Sequence, residues 1–276
     1  MGDENEATAA EGLARRRRSH DQLLVDFRSL SAELLSDFGK FDEPAREVES
    51  LCLGWSVRDV LLHFAAGDAR ATEVLDGADP FPNATPEESV LVAMAERDLA
   101  SFGDLTVAAA YEECCTARER LLGQVSSIEE GEWQEYVPWG AKPITRFSLV
   151  QSRLMETWVH GWDARWPMSV AQLIDDRAWW VTDMAVRHMP YTYAKAGLPV
   201  PDLDYTFELT GIAGGHWERS MGDQNGATSS VTVAGLAWAW VVLASQRAPG
   251  RIGVQYLSAQ PPEARTWFFE HARCFA

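Results

Sequence analysis

Between Asp21 and Phe38 the apolar residues Leu23, Leu24, Phe27, Leu30, Leu34 and Leu35 recur three and four apart, which predicts an amphipathic helix with one buried stripe. A second helix is predicted from Ser56 to about Leu75, where Ser56 has the character of an N-cap and Asp59 follows three residues on. The run Asp76-Gly77-Ala78-Asp79-Pro80-Phe81-Pro82-Asn83 ends it, because clustered Gly and Pro break helices. A third helical stretch spans about Pro86 to Gly123, either continuous or divided near Gly103. A fourth runs from about Thr145 to Trp162. Four such helices suit a bundle, whose interior buries four apolar faces at once.

After Pro167 the pattern changes. A helix is predicted over about Asp175 to Lys195, followed by strict alternation in Tyr205-Thr206-Phe207-Glu208-Leu209-Thr210. Gly-rich turns separate further strand-like segments at Gly215 to Ser220 and Ser229 to Val233. Helical patterns return near Leu236 to Gln246 and near Pro262 to Cys274. The expected fold class is α+β: a tail over 1–19, a four-helix bundle over 20–170, and a smaller α+β carboxy-terminal domain over 171–276.

The fourth helix carries the most informative chemistry. Glu156 and His160 are four apart and share a face, one turn from each other, so both can reach one cation. Catalytic zinc usually has three protein ligands plus water, so a third must come from elsewhere. His63 is the best placed of the remaining histidines, since it sits among Leu61, Leu62 and Phe64 on the second helix and needs a polar partner there. His20, His188, His216 and His271 read as solvated or structural. Taken separately, each half of this assignment has a bland reading. An ExxxH pair is common on helix surfaces, and a histidine among leucines is often satisfied by a backbone carbonyl.

The combination is more specific. Gly54-Trp55-Ser56-Val57-Arg58-Asp59-Val60 followed by His63, and Pro138-Trp139-Gly140 followed by Ser152-Arg153-Leu154-Met155-Glu156-Thr157-Trp158-Val159-His160-Gly161, resemble the two signatures of the DinB-like, mycothiol-dependent maleylpyruvate isomerase superfamily. The resemblance extends from about His20 over most of the chain. It implies a DinB-like four-helix bundle in which His63, Glu156 and His160 bind a divalent metal, with zinc expected and Ni2+ or Fe2+ as alternatives. It also implies use of mycothiol or another low-molecular-weight thiol, and a smaller carboxy-terminal domain. Two departures concern the substrate more than the metal: Trp162 stands where similar proteins often have Gln, and Gly140-Ala141-Lys142-Pro143-Ile144 differs from the commoner Gly-Pro-Pro form.

Around this core the sequence offers supporting residues. Trp55, Trp139, Trp158 and Trp162 are candidate pocket walls, although aromatic core is the plainer reading for Trp55 and Trp158. Asp59 and Asp163 are candidate carboxylates behind the ligand imidazoles, with Asp59 equally readable as a helix-end charge. Arg153, and Arg247 near the end of a carboxy-terminal helix, are candidate catalytic cations for an anionic substrate.

Composition narrows the alternatives. A formal net charge of −17 over 276 residues opposes binding to phosphate backbones despite the run Arg15 to Arg18, so a nucleic-acid partner is not expected. The apolar run Val231 to Ser245 is too short for a membrane span, and no signal-peptide core follows the arginines, so a cytoplasmic protein is expected. Cys52, Cys114, Cys115 and Cys274 have no CxxC spacing and read as reduced thiols, with no basic partner apparent for a covalent mechanism. The expected partner is a small-molecule substrate, and the expected assembly a monomer or homodimer. The leading functional expectation is a metal-dependent isomerase or thiol transferase acting on a small electrophile. The alternatives are a thiol-independent zinc Lewis-acid enzyme for cyclisation, elimination or hydrolysis, and a non-catalytic metal-binding stress protein.

Overall fold

A computed structural model describes residues 18–82, 88–140, 142–171, 174–195, 197–222, 229–247, 254–262, 264, 269 and 270. Most of the predicted amino-terminal tail, His271, Cys274 and much of the last predicted helix lie outside these residues. The chain divides into two compact units, Ser19–Leu173 on one side and Arg18 with Ile174 onward on the other.

The first unit is helical. Helix α1 (His20–Lys40) starts at Ser19, whose side chain accepts from the Gln22 N–H, and buries Leu23, Phe27, Leu30, Leu34 and Phe38. A short helix α2 (Glu43–Arg46), which the sequence reading missed, leads into a turn before α3 (Val57–Leu75). The capping box foreseen at Ser56 and Asp59 is present, with each side chain bonded to the other's backbone N–H. Asp59 therefore closes a helix end. The third predicted stretch is two helices, α4 (Glu88–Ser101) and α5 (Val107–Ser126), separated where Gly103 takes φ +57° and Thr106 caps the next start. A two-stranded hairpin, β1 (Tyr136–Val137) with β2 (Ile144–Thr145), then delivers the chain to α6 (Arg146–Arg165). Helices α1, α3, α5 and α6 pack together, and their core includes Leu34, Phe38, Val60, Leu61, Phe64, Cys114 and Ala164.

One feature of this core is polar. Asp68 of α3 is fully buried and accepts from Arg118 Nε of α5 and, at 3.1 Å, from Arg153 Nε of α6. Arg118 also donates to Ser31 Oγ of α1 at 2.7 Å. One carboxylate thus ties three helices, and through Ser31 a fourth, at the bundle's centre. The Arg153 guanidinium lies over Gly67, where a Cβ would come within 2.7 Å of it, so the glycine makes room for the charge.

In the second unit the predicted long helix is broken into α7 (Trp179–Arg187) and α8 (Met189–Lys195), with His188 at the joint. The strands β3 (Leu203–Thr210), β4 (Gly215–Met221), β5 (Ser230–Leu236) and β6 (Leu257–Gln260) form one sheet in the order β4-β3-β5-β6. Only the β3–β5 pair is parallel, in register with Phe207 opposite Val233. Alternation along β3 buries Leu203, Tyr205, Phe207 and Leu209. The helix α9 (Ala237–Ala244) packs Trp240 against Phe207 at 4.5 Å between rings, while Tyr205 donates to the Val186 carbonyl of α7. His216 lies within β4 opposite Glu208.

Candidate metal centre

Helical geometry assembles the site. On α6, Arg153, Glu156 and His160 follow one face at spacings of three and four, with Asp163 a further turn on. On α3, His63 and Gly67 are likewise one turn apart. His63 meets Glu156 while Gly67 meets Arg153, so the two helices face each other along this strip.

Glu156 Oε2 is 3.2 Å from His63 Nε2 and 3.2 Å from His160 Nε2. The three ligand atoms lie within 4.8 Å of one another. Ligands about 2.1 Å from a tetrahedral cation are roughly 3.4 Å apart, so this set fits a zinc-sized ion with little rearrangement. The chemistry fits as well, since two imidazoles and one carboxylate form a donor set of the catalytic type. Behind it, His160 Nδ1 is 2.9 Å from Asp163 Oδ2, the carboxylate arrangement that fixes a ligand imidazole's orientation.

Electrostatics in this cluster follow from burial and close pairing. Burial pushes the Glu156 carboxyl up, but hydrogen bonds from His160 and His63 overcome it and hold it well below the usual carboxylate range. Burial pulls His160 down, yet its bonds to Asp163, Cys52 and Glu156 raise it well above an ordinary histidine. His63 is lowered, chiefly by burial, against the opposing bond to Glu156. The two imidazoles are thus shifted in opposite directions, His160 up and His63 down.

The remaining sequence candidates separate clearly. Trp55 stands beside both imidazoles, 5.2 Å from the His63 ring and 6.3 Å from that of His160. Trp158 and Trp162 stack edge to face with each other at 5.5 Å. Helical geometry puts each about 200° round from His160, so they occupy the face of α6 turned away from the ligands. Trp139 packs against Phe81 at 5.1 Å. Arg153 is buried and bonded to Asp68, and its Nη2 has no hydrogen-bond partner among the described residues. Arg247 belongs to the other unit, where its Nη1 donates to the Ser245 carbonyl.

One residue was misjudged from sequence. Cys52 does have a basic neighbour, for its Sγ lies 3.3 Å from His160 Nδ1 and 3.0 Å from Asp163 Oδ2. The two residues are 108 positions apart in the chain, so no local spacing could have paired them. The only signal in reach was the position of Cys52 three residues before Trp55. Asp68 and Arg118 were missed for the same reason, as contacts that exist only once the bundle has formed.

Comparison with known proteins bears on the family and the fold. Two curated relatives, uncharacterised proteins of Mycobacterium tuberculosis strains CDC 1551 / Oshkosh and H37Rv, are each 27% identical over 130 residues, or 47% of this chain and 48% of theirs. The chain thus spans about half the length of the curated relatives it matches. Crystal structures of a mycothiol-dependent maleylpyruvate isomerase and of a mutant of it superpose with TM-scores of 0.61 and 0.60. Each superposition covers 89% of this chain and 94% of theirs at 14% identity, which establishes a shared fold. Among the described residues, no helix is long and apolar enough to cross a membrane. The family model of the mycothiol maleylpyruvate isomerase N-terminal domain matches residues 27–165, half of the chain, from within α1 to the end of α6, and the protein belongs to that family.

Proposed function

We propose that this protein is a metal-dependent enzyme that uses a low-molecular-weight thiol, mycothiol being the first candidate, to isomerise a small unsaturated acid or to transfer the thiol to a small electrophile. The observation that carries this reading is the convergence of His63, Glu156 and His160 from two facing helices, with Glu156 3.2 Å from each imidazole. A divalent cation held by these three, with zinc the expected ion, supplies a Lewis acid that favours the thiolate form of a bound thiol.

The chain's own groups supply the rest. Asp163 holds the His160 ring through Nδ1 and keeps Nε2 directed at the centre. Trp55 shields the two imidazoles on one side. Arg153 brings positive charge next to His63, and in the core its group counts two guanidiniums against the single carboxylate of Asp68. That surplus favours an anionic substrate end near Arg153. In isomerisation, a carbon–sulfur bond forms by conjugate addition to the double bond, rotation follows about the resulting single bond, and loss of the thiol restores the alkene. Nothing is consumed.

The test combines metal content with turnover. Wild type is expected to hold about one divalent ion per chain, with His63→Ala, Glu156→Ala and His160→Ala folded but depleted. Turnover of unsaturated acids is expected only with added thiol. Metal-loaded protein that converts substrate equally without thiol would replace this reading with the thiol-independent Lewis-acid one. Loaded, folded protein inert toward both would leave the non-catalytic one.

A further inference from the structure

The imidazole of His160 faces two clusters, one on each nitrogen. Nε2 belongs to the centre described above, whereas Nδ1 closes a triangle with Cys52 Sγ at 3.3 Å and Asp163 Oδ2 at 2.9 Å, its third edge being 3.0 Å between sulfur and carboxylate. These three atoms also lie within 4.8 Å of one another. Ligand bonds of about 2.0–2.3 Å fit such a triangle with modest expansion.

The triangle rests on a built scaffold. Leu51 N–H donates to the Asp163 carbonyl at 3.2 Å, which joins the turn before α3 to the last turn of α6. Within that turn, Ser50 N–H donates to the Trp55 carbonyl and Trp55 N–H to that of Cys52, with Gly54 at φ +79° allowing the reversal. Ser50 Oγ accepts from Cys52 N–H at 3.1 Å. Asp163 is fully buried, while Cys52 remains partly exposed and gives an ion a way in.

We propose that Cys52, His160 Nδ1 and Asp163 form a second cation site, suited to thiophilic ions such as Cd2+ or excess Zn2+, which competes with the His63–Glu156–His160 centre for a single imidazole. Its donor set is softer and more anionic than that of the first centre. A thiolate and a carboxylate together neutralise a dication, whereas the first centre offers one carboxylate. On binding, the Cys52 sulfur–hydrogen bond and the His160 Nδ1–hydrogen bond both break, bonds from the ion to sulfur and to nitrogen form, and both protons pass to water. A neutral imidazole has one lone pair and one N–H, so an ion on either nitrogen disfavours an ion on the other. Thiophilic ions would thus draw His160 away from the first centre.

The test is titration of the purified full chain with Cd2+, followed by the ultraviolet charge-transfer absorption that marks a cadmium–thiolate bond. The expected result is a band that saturates near one ion per chain. It should vanish in Cys52→Ser and persist in folded His63→Ala and Glu156→Gln, which leave the second triangle intact. Preloading wild type with Ni2+ should raise the Cd2+ concentration required by tenfold or more. Binding of Cd2+ without the band would overturn the proposal, as would a band that survives in Cys52→Ser and so belongs to Cys114, Cys115 or Cys274. Loss of the band in both first-centre variants would also overturn it, by showing that cadmium needs His63 and Glu156. Because no thiol substrate or turnover enters the readout, a failure of the proposed enzymatic function leaves this result legible.

Discussion

Replacing Asp68 by Asn should destabilise the bundle far more than an isosteric change suggests. The carboxylate is fully buried and paired with Arg118 and Arg153, themselves buried. At 3.1 Å from Arg153 Nε, a single charge pair has a gross attraction of about 5 kcal/mol for an effective dielectric near 20. Much of this offsets desolvation while the group stays intact, so its net contribution to the wild type is small. Removing the one anion exposes the imbalance, since two guanidiniums then remain buried with no counter-charge. Breaking such a group typically costs about 3–5 kcal/mol. With a urea m-value of about 2 kcal/mol per molar, the midpoint of the bundle's unfolding should fall by roughly 2 M. Trp133 and Trp158, buried in this unit, report the transition by fluorescence. Arg153→Met in the Asp68→Asn background should recover part of the loss, giving a non-additive double-mutant cycle. A midpoint drop below roughly 0.5 M, or strict additivity, would refute the claim that Asp68 compensates both arginines.

Asp163→Asn should weaken binding at the first centre about 10–100-fold while the bundle stays folded, measured by competition with a metallochromic chelator. Because His160 is held protonated well above the ordinary histidine range, a cation must displace that proton, so wild-type metal affinity should rise with pH, about tenfold per unit, until His160 titrates. In Asp163→Asn this rise should end at lower pH; an unchanged profile would show that Asp163 does not hold the ring. His188 gives a separate pH signature in the second unit, where burial first, and Arg187 next, lower it to about 4. The unfolded chain then binds the extra proton between 6.5 and about 4, so its contribution is complete above that window and is lost as pH falls through it, by at most about 3 kcal/mol. Thermal midpoints of His188→Gln should therefore decline less than wild type over that range. Ser56→Ala should cost about 1 kcal/mol by opening the cap of α3, and a loss near zero would show that Asp59 holds the helix end alone.

Local periodicity set much of this molecule by itself. The stripe from Leu23 to Leu34, the Ser56 cap and the Glu156–His160 spacing are all decided within a few residues, so α1, α3 and the shared face of α6 could be read directly. The break between α4 and α5 was legible only as an alternative, because Gly103 is compatible with a helix interior at a cost until the turn fixes its positive φ. Likewise, the division of α7 from α8 at His188 and the short strand β6 carried too little pattern to be seen. The candidate triad came from sequence through two signatures far apart in the chain, but the pairing of His63 with Glu156 depends on α3 and α6 facing each other along one strip. Tertiary structure alone decided the rest. It closed Asp68 between arginines of two other helices. It also brought Cys52 to His160 across 108 residues, a contact that no local preference encodes and that only the packing of the turn before α3 against the end of α6 creates.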